Sequence, residues 1–147
     1  MGDPGDSSGT TSGANSVDSG APLPHMSRMK GDDIAARLVA FGASVVALVA
    51  ALPQDRAGKH IADQLLRSAT SGGSNYEEAR SAQSRRDFVH KVSLAAKEMR
   101  ESVYGLGLVD RARLAPQHDI PVLLAEAGEL VAILMSSART AGARDPR

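Results

Sequence analysis

The chain has 147 residues, with 17 basic residues against 17 acidic ones, no Cys, no Trp, two Tyr and two Phe. Without Cys it holds neither a disulfide nor a thiolate metal site, and a balanced charge does not by itself announce a nucleic-acid binder. The length suits one domain, and the longest uncharged apolar stretch, Leu38 to Leu52, falls short of the roughly 20 residues of a membrane span.

Residues 1–30 read as a disordered tail. Their Gly, Ser, Asp, Thr and Pro supply almost no large apolar side chain, so burial cannot offset the entropy of ordering them. With no basic start and no apolar run, the segment does not read as a signal peptide. The pair His25–Met26 reads either as native or as the remnant of a cloning linker. Its first 26 residues hold Asp3, Asp6 and Asp18 and no Lys or Arg, which leaves residues 27–147 with 17 basic against 14 acidic residues, a net charge of +3.

From Asp32 the apolar positions become regular. Ile34, Leu38, Phe41, Val45, Leu48 and Leu52 step by four and three, the stripe of a bundle helix. Asp32 or Asp33 is a candidate N-cap and Pro53 ends the run, giving a first helix over about 32–52. Asp55 caps a second, whose stripe runs Ile61, Leu65, Ser68 or Ala69, Gly72, Tyr76 and Ala79. Ser84 followed by Asp87 resembles a capping box. The third stripe is Phe88, Val92, Ala95, Met99, Ser102 or Val103, Leu106 and Val109. His90 falls beside it and reads as a partly buried polar residue. A turn at "RARLAPQHD" precedes the fourth stripe, Ile120, Leu123, Ala127, Leu130 and Leu134. No segment alternates with period two. The expected fold is all-α, an antiparallel up-down-up-down four-helix bundle over 31–139, with 140–147 a disordered C-terminus.

Helices 1 and 4 are apolar nearly all round. Helix 1 carries Val39, Val46 and Val49 off its stripe and no charge between Arg37 and Asp55, and helix 4 adds Val122, Leu124, Val131 and Met135. A helix in a lone bundle shows water a polar face, so these seven residues point to a subunit interface between copies of the chain.

The run "QLLRSATSGGSNYEEARSAQSRRDFVHKVSLAAKEMRES", Gln64 to Ser102, resembles the bacterial four-helix-bundle proteins named after ribosomal RNA intervening sequences. The resemblance covers about 33–138. It implies a ring-like homo-oligomer, typically a pentamer, and no enzyme activity. The accessory proteins of diversity-generating retroelements are similar more distantly, at the level of fold. Through them the resemblance implies nucleic acid and a reverse transcriptase as partners. Gly72 departs from the family pattern, which has a bulky aliphatic there, and Gly105 and Gly107 stand where an aromatic-rich helix end is usual.

Four candidate sites follow. The small-residue stretch "SATSGGSN", 68–75, lacks the preceding strand and the Gly-Lys-Ser/Thr of a phosphate loop. It reads instead as the middle of one long helix, with a kink or raised mobility expected at Gly72–Gly73. The basic residues Arg80, Arg85, Arg86, Lys91 and Lys97, around the junction of helices 2 and 3, are candidate RNA- or DNA-binding groups. In an antiparallel pair turning near residue 83, Glu78 faces Lys91, and Arg67 faces Glu98 and Glu101, and these polar pairs are expected to set the register. His25, His60, His90 and His118 are scattered, with no Glu-x-x-His motif, so neither metal nor cofactor nor catalytic residue is expected. The expected function is a non-enzymatic, self-associating scaffold or interaction protein of the cytoplasm. The alternative is an RNA- or DNA-binding accessory protein.

Overall fold

The apolar stripes become the inner faces of four helices in a computed structural model of the chain: α1 (Pro24–Ala50), α2 (Arg56–Arg80), α3 (Arg85–Arg111) and α4 (Ile120–Ala143). The structure describes residues 1–2 and 24–144, with the backbone alone for 24–29. The expected tail therefore lies outside the described residues over 3–23, as do residues 145–147. Three boundaries differ from the sequence reading, one of them at α4, which runs to Ala143 and so past 139, the expected end of the bundle. α1 begins at Pro24, so neither Asp32 nor Asp33 caps it; Pro suits the first helical position, where its missing N–H has no partner to lose. α1 also stops at Ala50. The next two N–H groups reach back only three residues, Ala51 to the Leu48 carbonyl at 2.9 Å and Leu52 to that of Val49 at 3.2 Å.

The other caps follow side-chain chemistry. The Asp55 carboxylate accepts from the Gly58 N–H at 2.8 Å, and the Ser84 hydroxyl accepts from the Asp87 N–H at 3.1 Å. The Asp119 carboxylate accepts from the Val122 N–H at 3.3 Å. Gly58 is required, because a Cβ there would lie 2.0 Å from the Pro53 carbonyl oxygen that folds back over the helix start. α3 closes with Arg113 in the left-handed region at φ 54°. The Leu114 N–H then bonds to the Val109 carbonyl at 3.0 Å and that of Arg113 to the Asp110 carbonyl at 3.2 Å, the two bonds of a Schellman motif.

The six residues of the first stripe are all buried, Leu52 just past the end of α1 among them, as are Leu65, Tyr76, Val92, Met99, Leu106, Leu130 and Leu134. Ile61, Phe88 and Leu123, at the stripe ends, are half-buried. Contacts between consecutive helices join rising to falling residue numbers. Gly31 lies against Tyr76, Leu38 against Gly73, and Gly42 against the Ala69 backbone. Across α2 and α3, Ser68 meets Ser102 and Gly72 meets Met99. Of the seams joining the helices, that between α1 and α4 is the narrowest.

α2 runs unbroken through Gly72 and Gly73. The glycines face different neighbours. A Cβ on Gly72 would sit 2.7 Å from the Met99 sulfur and 3.0 Å from its Cγ, so the space a side chain would fill already holds Met99. A Cβ on Gly73 would make only an ordinary 3.8 Å contact with Leu38. The absence of an aliphatic at 72 is thus matched by a fully buried methionine, the side chain best able to fill an irregular gap. α3 likewise continues through Gly105 and Gly107 to Arg111; Gly105 lets Leu65 approach to 3.2 Å of its missing Cβ, and Gly107 faces open space.

Candidate functional site

The polar groups of α2 and α3 meet in three places. Near the α2–α3 turn, Lys91 Nζ donates to Glu78 Oε2 at 2.7 Å. Toward the other end, Arg67 Nη1 lies 3.0 Å from Glu98 Oε2, and its Nη2 donates to Glu101. The side-chain hydrogen bond to Glu101, then that to Glu98, raises the Arg67 guanidinium pKa, and the bond to Glu78 raises that of Lys91. Beside the Arg67 cluster, one residue on from Arg67 and from Glu101, the hydroxyls of Ser68 and Ser102 are 2.8 Å apart and buried. Each also has a carbonyl of its own helix within reach at 3.2 Å, Leu65 for Ser68 and Glu98 for Ser102, so one hydroxyl donates across the seam while the other donates to its own carbonyl. Sequence reasoning left open whether Ser68 or its neighbour Ala69 turned inward. Both do, and the hydroxyl is tolerated because its partner stands directly across the seam.

The basic segment does not form one patch. Arg80 binds Asp32 of α1 and lies 3.4 Å from Glu77, and Lys91 is held by Glu78. Arg85 donates to the Arg144 carbonyl at the end of α4. Arg86 and Lys97 are exposed and have no ion-pair partner among the described residues. His90 is exposed, which corrects its reading as partly buried. It stands two residues from both Phe88 and Val92, and half a helical turn swings it away from the stripe. Among the described residues no three His, Asp or Glu side chains gather in a metal-holding group.

On the outer side of α1 and α4, Val39 is 68% exposed, Val46 53% and Val122 61%. Val49, Leu124, Val131 and Met135 are half-buried and pack against the core. Every exposed α1 residue from Val39 to Ala50 is Val, Ala or Ser. With their charged ends included, Lys30–Ala50 and Ile120–Ala143 are each long and apolar enough by length and composition to cross a membrane. Counting only uncharged residues hides this. Both segments nonetheless give one face to the bundle core, and Arg37 pairs with Glu126 and, at 3.1 Å, with Glu129 across their seam. The side-chain bond to Glu126 is the largest cause of a raised Arg37 pKa. This cluster escaped sequence reasoning, since no local pattern joins residues 89 apart.

Two larger grooves mark the surface. One, of about 700 Å³, lies between α2 and α3 and is walled by Ile61, Leu65 and Leu108 with Tyr104 at 71% exposure. The other, of about 680 Å³, takes residues from all four helices at the end of the bundle where α2 turns into α3. Tyr76 borders it, and burial pushes its phenol pKa up.

Comparison with known proteins places this architecture. A family model described as 23S rRNA-intervening sequence protein matches residues 33–136. Among solved structures, the chain is similar to a crystal structure of a protein of unknown function from the S23 ribosomal protein family of Bacteroides thetaiotaomicron VPI-5482. The two share 30% identity at a TM-score of 0.68, over 75% of this chain and 98% of that one. No curated protein matches the chain.

Proposed function

The chain belongs to the 23S rRNA-intervening sequence protein family, and from that premise we propose that it is a non-enzymatic scaffold or interaction protein that works as a homo-oligomer. In this reading the four helices form an antiparallel up-down-up-down bundle of the cytoplasm. Copies join through the outer side of α1 and α4, in a ring that the family resemblance makes a pentamer. One observation carries the proposal: Val39, Val46 and Val122 are more than half exposed on helices whose other outward positions are mostly Ala, Gly and Ser. Single exposed valines are ordinary, but an outer helix face without charge for more than three turns is what a partner covers. Small residues there let a second helix come close.

Size-exclusion chromatography with light scattering tests this. The expected result is an oligomer that the Val39→Glu, Val46→Glu double variant converts to a folded monomer. A wild-type monomer at micromolar concentration overturns the reading.

Nucleic-acid binding is a second reading, carried by Arg85, Arg86 and Lys97, which are exposed and lack a carboxylate partner among the described residues. Carboxylates already answer Arg80 and Lys91, which makes this the weaker of the two. A reverse transcriptase partner would be its extension. In a gel shift with structured RNA, binding that falls with salt and is lost on Arg85→Glu with Arg86→Glu supports it. No shift at low salt removes it.

A further inference from the structure

We propose that the groove at the α2–α3 end of the bundle binds a nucleoside phosphate. Each helix brings one cation to its lining: Lys30 from α1, Arg80 from α2, Arg85 from α3 and Arg144 from the end of α4. No acidic residue lines it. Arg80 is answered by Asp32 and Glu77 outside the groove, while Lys30, Arg85 and Arg144 have no carboxylate partner among the described residues. Three uncompensated cations drawn to one concavity repel each other, and an anion among them relieves that repulsion.

The chemistry is more specific than charge. Arg85 is tethered through one N–H to the Arg144 carbonyl, and Arg80 is tethered by its two carboxylates, so both guanidiniums are partly ordered before a ligand arrives. An ordered fork with free N–H donors suits the oxygens of a phosphate. The hydroxyls of Ser136, Ser137 and Thr140 line the α4 wall and can exchange hydrogen bonds with a sugar or with phosphate oxygens. The floor is apolar, with Ile34 buried and Phe88 half-buried. A bare inorganic ion has no use for such a floor, whereas a flat base does. A volume of about 680 Å³ is that of a site for a small organic ligand. The α2–α3 groove of similar size differs in carrying a carboxylate: Glu101 lines it beside Arg67, Lys97 and Arg100 and holds Arg67.

A free nucleotide and the phosphorylated end of a nucleic-acid strand share this chemistry, and one titration of the full chain separates them. The probe is a fluorescent methylanthraniloyl derivative of ATP at about 0.15 M salt, where diffuse surface attraction is largely screened. Saturable binding is expected, with displacement by ATP. The exposed pair Arg85→Gln with Arg144→Gln should weaken it by about tenfold or more, the loss of a charged phosphate contact. Arg56→Gln with Lys59→Gln, exposed at the opposite end of α2 and outside the groove, should change it by less than about twofold. Thermal unfolding of both variants checks that the bundle is intact. A 5′-phosphorylated RNA oligonucleotide that displaces the probe at far lower concentration than ATP assigns the strand end; one that competes no better assigns the free nucleotide. Absence of saturable binding, equal loss in both variant pairs, or displacement by inorganic phosphate as readily as by ATP overturns the proposal.

Discussion

Along the α2–α3 seam the helices meet through Ser68, Gly72, Ala95 and Ser102, and carboxylates clasp cations at both ends. On the outer side of α1 and α4 the exposed surface is mostly valine, alanine, glycine and serine, and a cluster around Arg37 joins the two helices. The first region is polar where the chain packs on itself. The second is apolar where the chain covers nothing. Small residues serve both, for different reasons: at the seam they admit a neighbour from the same chain, as Gly72 admits Met99. On the outer side no described residue of the same chain uses the room they leave, and in the proposed oligomer a second copy would. A polar pair inside a seam adds little net stability but makes a slipped register costly, since each slip leaves buried or charged groups unmatched.

The strongest way to break this contrast is at Met99. Met99→Ala should cost about 3 kcal/mol in chemical denaturation at fixed protomer concentration, through the cavity left beside Gly72. Gly72→Leu should cost about 2 kcal/mol by overpacking. Combined, the two should cost at least about 1 kcal/mol less than their sum, because the new leucine enters the space the methionine leaves. Additive costs would mean that Met99 does not fill the place of a residue-72 side chain.

Next in size is the serine pair. Ser68→Ala should cost about 1 kcal/mol, since the Ser102 hydroxyl keeps its bond to the Glu98 carbonyl but loses its partner across the seam. Replacing both by Ala should cost no more than the single change. The exposed ion pairs come last. A double-mutant cycle on Arg67 and Glu101 should give a small favourable coupling, and zero coupling would remove the pair from any role in register. The Lys91 tie has a pH signature. Its pKa is raised by Glu78 above the ordinary 10.5, so its stabilisation is whole below that value and is lost as pH rises through the folded-state value. Wild type and Lys91→Met should therefore converge in stability only at strongly alkaline pH, and a difference that persists there would point to packing by the lysine stem.

Much of this was legible in advance, and the reason is local. The buried positions of all four helices follow a step of three and four, and Asp55 and Ser84 sit where caps were expected, because periodicity and capping act over one or two turns. The start of α1 was misplaced, because two aspartates resembling a cap lie inside a helix that a proline had already begun. His90 was set on the wrong side by its nearness in sequence to Phe88. The α2–α3 ion pairs were within reach, since a short turn fixes which residues of two consecutive helices stand opposite.

The sequence by itself determined the helices, their inward faces, their family and the apolar outer side of α1 and α4, all of which depend on residues a few positions apart. Only the tertiary structure decided which distant groups meet. It set Arg37 against Glu126 and Glu129, gave Arg80 to Asp32, placed Met99 in the gap at Gly72, and drew Lys30, Arg85 and Arg144 to one groove. Those meetings depend on how far each helix extends and how it is rotated about its neighbours. Such angles come from the packing of the whole core, which no single stretch of the sequence encodes.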